Sequence, residues 1–591
     1  MLRIYSIFIL LSFFLVNCDS SLKFDNSKWN YDSANKVYYQ LGIKYCSNVV
    51  STDYQTMGLY VPEEYLICSQ SGSLYDCEIN IFGKRGNYTM TNAPIVMPVE
   101  TPGYVGMNAP TEYKFETVSA YINAGIIFAY AGCRGRYSGS ETFIAGAPWC
   151  ITDLKSAIRY LRYNKDELPG DTDKIYIQGM SGGGAQSCLM GVTGNSELYT
   201  KYLEKNGALM KDDNGNAILD NVKGSQCWCP ITNLDTADAA YEWNIGQYFN
   251  TDTRADGTFT KLLSDDLTQK YVDYVNKIKL KDPKGNELKL TSTNAGSYYD
   301  YLKSTIEESL NNFLSDTTFP WTKVPQKEYP RGDPGIDFPP IRRRNLDEPD
   351  GSITYNTVQE YINSLNSDTN WVTYDSKTNK ATTTNVGDFV KKCKNPSKDV
   401  GAFDDLNRAQ GENQVFGTNY DSDNNKKHFD QIMNDLLNTN SYKYTGKSDF
   451  KYNYPTDYSG DIDSLDTLYN NVLYRLNMYN PMYYINSQYD GYKKSDVANY
   501  FRINTGIFQS DTSNVVEINL YLALINYGKK VNFTTVWEQY HTKAERTGDS
   551  DANFIQWIYE IENSKIKPYS GYSINININC FAILLCLFLW I

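Results

Sequence analysis

The chain has 591 residues, a formal net charge of −13, 41% hydrophobic and 21% charged residues, which describes a globular protein too long for one minimal core. Its 56 Lys and Arg form no run able to neutralise a row of phosphates, so nucleic acid is excluded as a partner. Against 51 Tyr stand only 2 His, and any histidine chemistry therefore rests on His428 or His541.

At the N-terminus, Arg3, the apolar residues 4–16 and then Asn17-Cys18-Asp19-Ser20 have the charge, length and polar exit of a secretory signal, assigned to residues 1–18. At the other end residues 580–591 are apolar but short for a spanning helix. They follow a polar spacer and the small residues Ser570 and Gly571, so residues 570–591 read as a lipid-anchor attachment signal, with a plain hydrophobic membrane tail as the alternative. Both ends predict a secreted or cell-surface protein, in the second case attached to the membrane through its tail. Between them lie nine cysteines, suited to disulfides in an oxidising compartment but with a pairing that spacing does not give. Asn87-Tyr88-Thr89 and Asn532-Phe533-Thr534 are glycosylation sequons. Cys227-Trp228-Cys229 has no second ligand pair and no nearby histidine, and implies no zinc site.

From residue 93 to about 235, apolar runs alternate with amphipathic stretches, the pattern of a parallel sheet flanked by helices. Strands are expected at 93–99, 125–130, 174–178 and 224–230. Ile151, Leu154, Ile158 and Leu161 recur at helical spacing and predict a helix over 151–164, with Arg and Lys on its other face. Residues 240–470 turn rich in Asn, Asp, Lys, Tyr and Ser, and read as an inserted cap of helices without alternating strands. Alternation resumes with a strand at 497–504, a helix at 513–527, a strand at 531–537 and a last helix at 551–562. The resulting division is a first core part over 19–239, a cap over 240–470 and a second core part over 471–565.

Gly179-Met180-Ser181-Gly182-Gly183 is a Gly-x-Ser-x-Gly run placed directly between a strand and a helix. A hydroxyl held on so tight a turn needs small neighbours for the backbone to double back, and Gly179 and Gly183 supply them. The competing reading is a glycine-rich turn carrying a structural serine; a phosphate loop is disfavoured because no Lys follows the glycines. A serine hydroxyl needs a base, which in this strand order follows the last strand. His541 sits there, after 531–537 and before the final helix. His428 lies in a Lys- and Asn-rich run of the cap and reads as an exposed surface histidine. For an oxyanion the donors are the amide of Gly182 and one from Glu100-Thr101-Pro102-Gly103-Tyr104, with Gly103 the candidate.

With these pieces placed, the chain resembles the bacterial-type tannases and tannase-like esterases of the α/β-hydrolase fold over most of residues 85–562. The similar stretches are Gly132-Cys133-Arg134-Gly135-Arg136, Asp153-Leu154-Lys155, Tyr160-Leu161-Arg162-Tyr163-Asn164, the elbow continuing to Gly191-Val192-Thr193-Gly194-Asn195, Cys229-Pro230-Ile231-Thr232-Asn233-Leu234 and Ala239-Ala240-Tyr241-Glu242-Trp243. The resemblance implies a mostly parallel sheet flanked by helices with a large inserted cap. It also implies hydrolysis of galloyl-type phenolic esters through an acyl-enzyme, without cofactor or metal. Feruloyl or acetyl esters on plant polymers are the runner-up substrates. It further implies that Lys398, Glu412 and Asp511 grip the ring hydroxyls, which donate to carboxylates and accept from an ammonium.

One position departs from the family pattern. Its catalytic acid falls two residues before the Asp511 position, and here that residue is Gln509. An amide can still accept the imidazole N–H and fix its tautomer but cannot neutralise an imidazolium. Three readings stay open: Asp511 serves as the acid, Gln509 serves weakly, or the protein is a catalytically weak ligand-binding surface protein.

Overall fold

The computed structural model describes residues 22–136, 138–140, 143–324, 351–419 and 425–563; the signal segment and the C-terminal tail assigned from sequence lie outside them. Among the described residues no helix is long and apolar enough to cross a membrane.

Nine strands form the main sheet: β1 (Asn30–Asp32), β2 (Val37–Lys44), β3 (Thr56–Pro62), β4 (Ile95–Val99), β5 (Ile127–Ala131), β6 (Ile175–Met180), β7 (Gly224–Trp228), β8 (Tyr500–Gly506) and β9 (Lys530–Val536). Their spatial order is β1-β2-β3-β5-β4-β6-β7-β8-β9. Every pairing from β5 to β9 is parallel, whereas β1, β2 and β3 are added antiparallel. Every residue of β4 and β7 is buried, as continuous apolar strands sandwiched between helix layers must be.

The six parallel-paired strands and their helices α1 (Phe115–Asn123), α2 (Trp149–Tyr163), α3 (Gly182–Val192), α4 (Asn514–Asn526) and α5 (Ser550–Asn563) fall within a few residues of the sequence expectations where these were made. The antiparallel start was not anticipated. A bulge between Gln40 and Ile43 breaks the period-two alternation by which β2 would be recognised. Nearby, Leu66–Ser71 pairs with Leu74–Ile79, and Cys68 and Cys77, directly opposite in that hairpin, form a disulfide.

The face of α2 that carries Arg and Lys is not solvated. Lys155 and Arg159 both reach the buried Asp220. Asp153 takes a two-pronged pair from Arg134 at 2.7 and 2.9 Å, joined by Gln55 and Asn206. The resembling stretches around 134 and 153–159 are thus a buried polar frame that fixes α2 under the sheet. Such charges persist in a core only when mutually paired.

Between the ends of β7 and β8, which are neighbours in the sheet, the chain makes one long excursion. It is built on helices such as Phe259–Ile278 and Ser297–Asp316. It also holds two short antiparallel pairs, Trp321–Lys323 with Ile353–Tyr355 and Val372–Asp375 with Lys380–Thr383, beside the helices expected there without alternating strands.

Candidate active site

Ser181 is the single residue between β6 and α3, at φ 60° and ψ −123°, a backbone state that costs a non-glycine residue free energy and is held only by its surroundings. Its N–H donates to Trp228 O at 2.9 Å, and its carbonyl accepts from Ala185 and Ile231 N–H. The glycines are required by contact. A Cβ on Gly179 would stand 2.5 Å from Gly183 O, and one on Gly183 would stand 2.1 Å from Val99 O.

His541 follows β9 on a loop that crosses the end of β8. A Cβ on Gly506 would lie 2.0 Å from Tyr540 O, so only glycine lets the loop pass. Phe508 N–H donates to Gln539 O and Asn504 Nδ2 to Ala544 O, both at 3.0 Å, clipping the two loops together. The imidazole then stands with Nε2 2.8 Å from Ser181 Oγ and Nδ1 2.6 Å from Gln509 Oε1. The structure thus brings Ser181, His541 and Gln509 into one hydrogen-bonded line, with the amide at the position of the expected acid.

Gln509 is fully buried. Its Nε2 donates at 2.6 Å to both Thr505 Oγ1 and Glu517 Oε1. Glu517, in the first turn of α4, also accepts from Thr505 Oγ1 at 2.8 Å and from Asn514 Nδ2 at 3.2 Å. Lys394, buried and rooted in the cap, donates to Ile507 O, Gln509 O and Asn514 Oδ1 at 2.8, 2.6 and 2.6 Å. Burial pushes the Glu517 carboxyl up to about 8, against the donors of Thr505, Asn514 and Gln509 and the Lys394 charge. It pushes the Lys394 ammonium down to about 7, against the Glu517 charge. The Cys229 thiol, raised to about 12 by burial and then by Glu517, stays protonated beside them.

Gly182 is the first residue of α3, where a backbone N–H has no intrahelical acceptor. Facing it is the single turn Pro102–Tyr104, with Gly103 at φ 56°. A Cβ on Gly182 would be 3.2 Å from Gly103 N, so the two amides are neighbours. Tyr104 N–H is already taken by Thr101 O at 3.0 Å. The turn is pinned by Thr101 Oγ1 on Gln186 and by the Tyr104 hydroxyl on Ile231 O.

The three ring-gripping candidates come from segments tied to this centre. Asn395 N–H donates to Ser510 Oγ at 3.0 Å and Ser397 Oγ to Ser510 O at 3.3 Å, which stitches the Lys398 segment to the loop carrying Gln509 and Asp511. The Lys398 ammonium lies 3.7 Å over the Phe403 ring. Glu412 is buried on the short helix Gly411–Val415, whose Gln414 is held by Arg136 at 3.0 Å. Asp511 is half-buried.

His428 is not the exposed histidine expected from its polar neighbours. It is fully buried and stacked on Tyr458 at 3.6 Å between ring centres, with Nδ1 2.6 Å from Asp404 Oδ1. Asp404 also accepts from Asn413 Nδ2 and from the Phe429 and Asp430 N–H groups. This histidine therefore closes a knot behind the Glu412 helix. Lys394 and Glu517 were also missed, although a lone Glu in the apolar run Val515-Val516-Glu517-Ile518 is a signal, since a buried charge demands a partner.

The family model BD-FAE, an α/β-hydrolase esterase family, matches residues 85–269. A search of curated proteins by sequence finds no match. Among solved structures, the Fusobacterium nucleatum tannase is similar at 28% identity and TM-score 0.63, over 92% of this chain and 99% of that one. A tannin acyl hydrolase in complex with 3,4-dihydroxybenzoate is similar in fold at 23% identity and TM-score 0.64, over 91% and 98%. A tannin acyl hydrolase in complex with ethyl gallate gives 23% and 0.63 over the same shares. The fold is that of the α/β-hydrolases, and the resemblance to tannases read from the sequence is borne out over nine-tenths of the chain. Together these relatives support a carboxylic-ester hydrolase.

Proposed function

We propose that this tannase-like α/β-hydrolase is an exported serine esterase that hydrolyses galloyl-type phenolic esters. The observation that carries the reading is the line Ser181 Oγ, His541 Nε2, His541 Nδ1, Gln509 Oε1 at the strand–helix turn. Ser181 Oγ attacks the ester carbonyl as His541 Nε2 takes its proton. The tetrahedral oxyanion is held by the amides of Gly182 and Gly103. The alcohol departs with the proton from His541, and a water deprotonated by the same nitrogen releases the acid and restores Ser181. Lys398, Glu412 and Asp511 face the ring hydroxyls, as the segments bearing them converge on this centre. Two of the similar tannin acyl hydrolases are complexes with 3,4-dihydroxybenzoate and ethyl gallate, which supports the same substrate class here. The Cys68–Cys77 disulfide and the exposed Asn87 of the first sequon support export.

The test is a panel of methyl gallate, methyl ferulate and 4-nitrophenyl acetate with purified protein and Ser181→Ala. Turnover of all three esters, fastest on the gallate and lost in Ser181→Ala, is the expected result. Turnover of the acetate alone would sink the galloyl pocket. The amide at position 509 favours one second reading, a weak catalyst that binds phenolic ligands. Gallate binding that Ser181→Ala leaves unchanged, with no ester turned over, would establish it.

A further inference from the structure

Nothing about the triad line accounts for the buried groups behind it. A neutral amide receives His541 Nδ1, yet the same amide passes a hydrogen bond from its nitrogen to Glu517 Oε1 at 2.6 Å. We propose that Glu517 supplies, through the Gln509 amide, the negative charge that a triad acid would present directly to His541. Glu517 is thus a positioning residue. This rests on the serine-esterase reading above.

The donor pattern carries the inference. Three groups point hydrogens at the Glu517 carboxyl: Gln509 Nε2, Thr505 Oγ1 and Asn514 Nδ2. That set satisfies a carboxylate, whereas a carboxylic acid would have to donate. Lys394 shows the mirror image, an amine whose nitrogen meets three oxygen acceptors, as an ammonium with three N–H groups requires. Two arms, Lys394 through Asn514 and His541 through Gln509, therefore converge on Glu517, every amide donating toward the carboxylate and accepting at its far end. An amide so polarised is a stronger acceptor at Oε1, because hydrogen bonds in a chain reinforce one another in a low-dielectric interior. When His541 takes the proton of Ser181, the imidazolium meets that oxygen with an anion one amide behind it.

No atom moves in this arrangement beyond the ordinary proton shuttle of His541. Glu517 neither touches the ester nor transfers a proton. The charged or titratable groups facing it are Lys394 from the cap, Cys229 after β7 and, across Gln509, His541. Of these, Lys394 is the counter-cation that allows an anion to persist there.

The test compares the parent, Glu517→Gln, the exchange variant Gln509→Glu/Glu517→Gln and Ser181→Ala. Each is assayed for kcat and KM on 4-nitrophenyl acetate at one fixed pH. Glu517→Gln is expected to lower kcat about 10- to 100-fold, less than the roughly 10⁴ ascribed to outright loss of a triad acid in serine proteases, with KM little changed. The exchange variant puts the carboxylate directly on His541 and the amide behind it, and is expected to recover the lost kcat. Burst titration with a fluorophosphonate counts the folded sites and separates misfolding from a slow site.

Equal kcat for Glu517→Gln and the parent would overturn the proposal, as would a deficit that the exchange variant does not recover. Either result with Ser181→Ala inactive leaves the serine mechanism standing and removes only the role of Glu517. Full turnover by Ser181→Ala would instead remove the mechanism on which it rests.

Discussion

The two histidines of this chain make the same bond to different partners. His541 Nδ1 and His428 Nδ1 each stand 2.6 Å from a side-chain oxygen, the first an amide of Gln509 and the second a carboxylate of Asp404. His428 thus has the acid that His541 lacks, and yet among the described residues its buried Nε2 meets no hydrogen-bond partner and so no nucleophile, whereas the Nε2 of His541 meets Ser181 Oγ. A histidine–carboxylate pair is therefore not itself a mark of catalysis. What counts is what the other ring nitrogen can reach, and that is fixed by backbone: a strained serine turn and a glycine where two loops cross.

The sharpest way to break the contrast is to remove each ring in turn. His541→Ala should lower kcat on 4-nitrophenyl acetate by about 10⁴- to 10⁶-fold, the scale of losing a triad member, with the melting temperature near that of the parent. His428→Ala should do the reverse, costing about 2–4 kcal/mol of stability through the cavity and the unpaired Asp404, read by denaturant unfolding. A kcat loss in His428→Ala as large as that in His541→Ala would end the distinction.

A third prediction concerns pH around the knot of His428. Asp238 accepts from the Phe403 and Asp404 N–H groups, and burial, then the charge of Asp404, pushes its carboxyl up to about 7. The native protein therefore keeps a proton that the unfolded chain releases near pH 4. The contribution of this group to stability is present at low pH and falls as pH rises from about 4 to about 7. Asp238→Asn, which keeps an acceptor, should flatten the fall in melting temperature across that window. Parallel curves for variant and parent would refute the assignment. The smallest effect is expected at Lys398. Its loss in Lys398→Ala should reduce kcat/KM on methyl gallate about tenfold, within the range for one unpaired polar contact, and leave the acetate nearly unaffected.

Much of this was legible in the chain. The elbow, the parallel strands and the position of His541 after the last strand all announce themselves through local pattern, because each is a short-range consequence of backbone geometry. Gln509 could likewise be located, two residues before Asp511. The groups behind it could not, since Lys394 and Glu517 lie 123 positions apart and meet only when the cap folds onto the end of β8. Burial of His428 was hidden for the same reason. Its neighbours Asn425, Lys426 and Lys427 look like surface, but Asp404, Asn413 and Tyr458 come from other segments to enclose it.

The ammonium of Lys394 belongs to the cap, whereas the carbonyls of Ile507 and Gln509 that it holds belong to the loop after β8. The cap is therefore not a detachable roof over a self-sufficient engine. Trimming the excursion between β7 and β8 to leave a minimal hydrolase would withdraw the strut that keeps Gln509 against His541. The cap and the Ser181–His541–Gln509 line of this protein must be inherited, engineered and folded as one piece.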